Sequence, residues 1–287
     1  MSNRIILNET SYFGEGAIKE IVTEIKARGA TKVMVATDPD LVKFKVINHV
    51  TDLLAAAKIP YAVYDHIKPN PTIQNVQEGV AFCKKEKADL IVAIGGGSSI
   101  DTSKAVGIIM TNPEFADVRS LEGVAPTKNK CLPIIAVSTT SGTAAEVTIN
   151  YVITDVEKNR KFVCADPHDI PVVAVVDPQM SASMPKGLTA ATGMDALVHD
   201  IEGYITKGAW EMTDMMHLKA IEIISKWLRK SVAGDMEARK EMALGQYIAG
   251  PGAAMTLAEL GASVTKIEPL GGFLPRHIGL YAESMIR

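Results

Sequence analysis

The chain has 287 residues, 47% hydrophobic and 22% charged, the balance of a globular protein with room for one large domain or two ordinary ones. A formal charge of −3 without a basic cluster argues against nucleic acid, and no apolar run reaches the ~18 residues that a membrane span needs. Three scattered cysteines (Cys83, Cys131, Cys164) with no C-x-x-C pair, and an N-terminus without a leader-like apolar core, point to a reducing cytoplasm.

In chain order, Ile5–Leu7 reads as a short strand and Gly14–Arg28 as a helix ending at Gly29. Lys32–Ala36 (KVMVA) is a buried-strand pattern stopped by Thr37-Asp38-Pro39. A helix over Leu41–Lys58, a strand at Pro60–Tyr64 and a helix over Thr72–Lys87 follow. Leu90–Ile94 is a short apolar run that passes directly into Gly95-Gly96-Gly97. Ser98 or Ser99 can cap the next helix, whose apolar positions Ile100, Ala105, Val106 and Ile109 recur at helical spacing. Cys131–Val137 and Val172–Val176 are two further strands.

Strands alternating with helices predict an α/β domain with a doubly wound parallel sheet, whose ligands bind beyond the C-terminal strand ends. After Pro185 the pattern becomes all helical, over Leu188–Ile205, Ala209–Ala233 and Met236–Ile248, so a second domain is expected to begin near Asp177. Gly252–Gly261 then reads as a helix and Ser263–Ile267 as a strand, a β-α-β fragment restarting after residue 250. The expected division is 1–178, 179–250 and 251–287.

Several stretches could carry chemistry. Glycines 95–97 between strand and helix let a phosphate approach the backbone at a helix N-terminus, although a bare tight turn has the same appearance. Thr139-Thr140-Ser141-Gly142-Thr143 follows a strand and can hold phosphate or ribose oxygens, or form a plain hydroxyl-rich turn. Asp38 ends a strand, where an acid accepts from ribose hydroxyls and repels a 2′-phosphate; a helix cap is the alternative. Asp195 and His199 stand four apart on one helix face, a spacing that lets both reach one cation or simply each other. His49, His66, His168, His217 and His277 have no metal-like spacing and read as surface or capping residues, and Met212, Met215 and Met216 as core filler.

GGGSSIDTSKAVGI, the PNPT of Pro69–Thr72, and NPEFADVRSLEG (Asn112–Gly123) together resemble the iron-containing alcohol dehydrogenase family. So do TTSGTAAEVTINYVITD (Thr139–Asp155), RKFVCADPHDIP (Arg160–Pro171) and ATGMDALVHDIEGYIT (Ala191–Thr206), the likeness running from residue 3 to about 250. It implies the dehydroquinate-synthase-like architecture, a Rossmann-like NAD domain followed by an all-helical metal domain. It also implies NAD-dependent, metal-activated interconversion of short aldehydes and alcohols, of the 1,2-diol type, with glycerol or ethanol oxidation as a near alternative. By the same likeness the NAD role falls on Asp38, Asn70, Gly95, Gly96, Gly97, Ser98, Thr139, Thr140, Thr143 and Lys161. Asn150 and Val152 would line the substrate pocket, and Asp195 and His199 would be two of four ligands to iron(II) or zinc. Expected partners are a small aldehyde or alcohol, with no nucleic acid or membrane; a homodimer is left open.

The sequence departs from the family after the ALGQY helix, where two further histidines belong and Pro251-Gly252-Ala253-Ala254 stands instead. Ala249–Gly272 resembles the opening of class III CoA-transferases of the CaiB/BaiF type. On that reading the helical domain is truncated, apolar faces between Leu188 and Ile248 lose their cover, and divalent metal binds weakly if at all. Little or no dehydrogenase activity is then expected. A non-catalytic NAD-binding remnant and a CoA-transferase fragment are the alternatives from other classes.

Overall fold

The computed structural model describes residues 5–259. Six strands form one parallel sheet: β1 (Thr10–Phe13), β2 (Val33–Ala36), β3 (Tyr61–Tyr64), β4 (Leu90–Gly95), β5 (Ile134–Ser138) and, later in the chain, β8 (Val173–Val176). Between β5 and β8 comes an antiparallel hairpin, β6 (Asn150–Asp155) and β7 (Arg160–Ala165). The sheet order is β1-β8-β5-β4-β2-β3. Position in that order explains burial: β2, β4, β5 and β8 are interior and covered on both faces, while the edge strands β1 and β3 keep partly exposed residues.

Because side chains alternate across a strand, Val33, Val35, Leu90, Val92, Ile135 and Val137 enter one core layer. Met34, Ala36, Ile91, Ala93, Ile134 and Ala136 enter the other. The first layer lies under α1 (Glu20–Ala27) and α3 (Asn48–Ala56). The second lies under α4 (Ile73–Glu86) and α5 (Gly97–Thr111), with Tyr151, Ile153, Phe162 and Cys164 of the hairpin closing its far side. Packed between sheet and hairpin, α5 is buried without a break from Thr102 to Ile109.

Three expectations are corrected here. Ile5–Leu7 is not a strand; β1 begins at Thr10, where the Thr10 amide donates to Val172 O at 3.1 Å. The helix expected over Leu41–Lys58 is two, α2 (Pro39–Lys43) and α3, because Lys45 takes a left-handed conformation (φ 59°) between them. The hairpin had no place in the sequence reading, although the burial of β6 alternates residue by residue.

After α6 (Pro178–Ser181), α7 (Lys186–Ile205), α8 (Glu211–Ala233) and α9 (Met236–Glu259) form the helical part. α9 runs through residues 250 and 251 without interruption, and the strand expected at Ser263–Ile267 lies outside the described residues, as does His277. Two sets of polar contacts anchor α9, one to the segment at α6 and one to the α/β part. The buried Arg239 guanidinium donates to Ser181 O at 2.8 Å, Ala182 O at 2.5 Å and Met184 O at 2.9 Å. Gln246 Nε2 donates to Glu146 Oε1 at 3.0 Å. Leu188, Met194, Ile201, Tyr204 and Ile205 of α7 and Met212, Met215 and Leu218 of α8 stand exposed. Met212 and Met215 are therefore not core filler.

Candidate functional site

The site forms where β2, β4 and β5 end, beside the change of strand order. Gly95 ends β4 with φ 153°, and a Cβ there would run into the Ser99 side chain, so only glycine makes this turn. Gly96 is the N-cap of α5, no side chain caps that end, and no acid occupies the first turn. Helix geometry leaves the leading amides without carbonyl partners within the helix, and the helix dipole adds positive potential there. Gly96, Gly97 and Ser98 are all partly exposed, so an anion can reach these amides.

The hydroxyl loop lies directly against this turn. The Thr139 amide donates to Gly95 O at 3.0 Å. A Cβ on Gly96 would come within 3.0 Å of Thr140 Oγ1, and one on Gly97 within 3.1 Å of Thr143 Oγ1. The two hydroxyls and the glycine backbone thus share one small volume.

Asp38 Oδ1 accepts from the Asp40 and Leu41 amides, both at 3.0 Å, so Asp38 does cap α2. Burial pushes its carboxyl up, against the pull of those two amides. The cap also seats α2 beside the turn, with Leu41 Cδ1 3.7 Å from where a Gly95 Cβ would stand. Asn70, in a left-handed conformation (φ 56°) after β3, accepts from Lys161 Nζ at 3.0 Å. Two candidates 91 residues apart in sequence are therefore in contact.

On the helical side, Asp195 and His199 occupy successive turns of one face of α7, both partly exposed. The hydroxyl loop meets α7 one turn earlier, where a Cβ on Gly142 would fall 2.8 Å from Thr192 Cβ and 2.9 Å from Thr192 O. A carboxylate oxygen and an imidazole nitrogen four residues apart suit a borderline divalent ion such as iron(II) or zinc as two of its donors. Among the described residues, no group of three or more His, Cys, Asp or Glu side chains is placed to hold a metal.

Four residues of consequence were missed. Lys104 and Asp101, the two charged residues of α5, bind the start of β6. Glu146 is fully buried, and burial pushes its carboxyl up to about 7. His217, expected at the surface, is also fully buried, its Nδ1 3.0 Å from Asp200 Oδ1. Asp200, the acid directly after His199, is thus partnered inside the fold.

The iron-containing alcohol dehydrogenase family pattern matches residues 8–178, and the C-terminal pattern of the Fe-containing alcohol dehydrogenase family matches 189–275. The second match runs across the whole of Ala249–Gly272, the stretch that resembled a CoA-transferase. The chain is 57% identical over 273 residues to lactaldehyde reductase of Escherichia coli, covering 95% of this chain and 71% of that protein. Its fold is similar to alcohol dehydrogenase from Oenococcus oeni (TM-score 0.84, 37% identity, 89% of this chain and 67% of the other). It is also similar to sulfoacetaldehyde reductase from Bifidobacterium kashiwanohense, solved with NAD+ (TM-score 0.79, 32% identity, 88% and 67%).

Proposed function

As the chain belongs to the iron-containing alcohol dehydrogenase family, we propose that it is an NAD-linked oxidoreductase of short aldehydes and alcohols, with lactaldehyde and 1,2-propanediol as the substrate pair. The observation that carries this is the uncapped, acid-free start of α5 with the Thr140 and Thr143 hydroxyls seated over its glycines. A dinucleotide pyrophosphate fits those amides, and Asp38 at the end of β2 is placed to meet a ribose.

When bound, the nicotinamide supplies the hydride and a divalent metal polarises the carbonyl oxygen. Asp195 and His199 would hold that metal, at the point where α7 meets the hydroxyl loop. Gly95–Ser98, Thr139, Thr140 and Thr143 fix the phosphates; Asn70 and Lys161, bonded to each other, close the opposite side. Asn150 and Val152, on the outer side of the hairpin, line the end where the aldehyde enters. The close approach of the hydroxyl loop to α7 at Gly142 and Thr192 supports this reading.

Two donors hold a divalent ion several orders of magnitude more weakly than four. The test therefore measures NADH binding, metal content and lactaldehyde-dependent NADH oxidation on the purified chain. Tight NADH binding with substoichiometric metal and slow turnover is the expected result. Stoichiometric iron or zinc with fast turnover would show that residues outside 5–259 complete the shell. Absence of NADH binding would overturn the reading.

A further inference from the structure

We propose that Asp101 and Lys104 are a positioning pair, which sets Asn150 and Val152 against the nicotinamide end of the bound dinucleotide; this rests on the NAD-binding reading above. Lys104 is fully buried in α5. Its ammonium donates to Thr148 O at 2.6 Å, Asn150 O at 2.8 Å and Thr148 Oγ1 at 3.3 Å, using its three donors. One helical turn earlier, Asp101 Oδ2 accepts from the Val152 amide at 3.1 Å. Residues 148, 150 and 152 share parity, so their backbone groups project from the same edge of β6, the one turned away from β7.

Two charged side chains therefore stand where a neighbouring strand would otherwise pair. At the next residue of that parity, the Thr154 amide donates to Pro71 O at 2.8 Å, an ordinary backbone partner. Burying an ammonium is costly, and a third strand would satisfy the same groups with neutral partners. What the pair adds is a rigid tie between β6 and the helix whose first turn receives the pyrophosphate. The distance from the phosphates to Asn150 is then set by the bonds between α5 and β6. Asn150 Oδ1 is buried and has no partner among the described residues. A carboxamide N–H of a nicotinamide is a group of the right chemistry to satisfy it.

The test compares ADP-ribose, which lacks the nicotinamide, with NADH in calorimetric titrations of the full chain and its Lys104→Met and Asp101→Ala variants. ADP-ribose affinity is expected to stay within about twofold, while NADH affinity falls by about 5- to 30-fold, the loss of one or two hydrogen bonds. The fluorescence of bound NADH should move toward that of the free form. Equal weakening of both ligands, or unchanged NADH affinity and emission, overturns the proposal. If Lys104→Met does not fold, Asp101→Ala decides alone. A wild-type chain that fails to bind ADP-ribose refutes the NAD-binding reading itself.

Discussion

Replacing Glu146 with glutamine should make the protein more stable in alkaline solution while leaving it unchanged in acid. The carboxyl sits in the turn Ala145–Val147, where Oε1 takes the Gln246 bond and Oε2 has no partner among the described residues. Burial lifts its pKa to about 7 from an ordinary 4.5, with Lys104 pulling modestly the other way. Below pH 4.5 both folded and unfolded chains hold the proton. Between 4.5 and 7 the folded state keeps a proton that the unfolded state has released, so stability falls as pH rises, then levels off above about 7. The separation corresponds to about 3 kcal/mol at most. Glutamine carries no proton to release and its amide can still meet Gln246, so Glu146→Gln should show a flat response to this group. Urea unfolding at pH 4.5, 6 and 8 checks this: the variant should match wild type at the lowest pH and exceed it by up to about 3 kcal/mol at the highest. A variant with no advantage at pH 8 over pH 4.5 would refute the reasoning.

Gly96→Val should cut NADH affinity at least tenfold, about 1.4 kcal/mol, with little change in circular dichroism, because its Cβ meets Thr140 at 3.0 Å and displaces a hydroxyl as well as covering the amides; undiminished binding would place the phosphates elsewhere. Asp38→Asn keeps the Oδ1 acceptor that caps α2 but removes the charge, so the ratio of NADPH to NADH affinity should rise by about 5- to 150-fold, the cost of a like-charge pair. An unaltered ratio would leave Asp38 as a cap alone. Asp155, held down to about 2 by the Arg119 guanidinium at 2.7 Å, contributes stability above about pH 4 that is lost as pH falls through about 2. Arg119→Ala should lower stability at pH 7 and flatten that acid decline; an unchanged slope would contradict the pairing.

The parts of the fold legible in sequence are those where burial is total. β2, β4, β5 and β8 are apolar on both faces and read as unbroken runs, and the loops at their C-terminal ends were located with them. The hairpin was not, since half its residues face outward and its polar positions read as motif rather than strand. β1 was misplaced because an edge strand is chosen by its pairing, here with β8, and not by the hydrophobicity of Ile5–Leu7. Among site residues, Asp195 and His199 are four apart and visible at once. The contact of Asn70 with Lys161 and the pairing of Asp200 with His217 join separate elements, and no local spacing announces them.

Arg239 gives α9 a second kind of attachment, to the segment at and after α6. Its three acceptors are backbone carbonyls, which carry no proton to lose. Raising the pH therefore costs the fold the burial of a charge at Glu146 and leaves the contacts at Ser181–Met184 untouched.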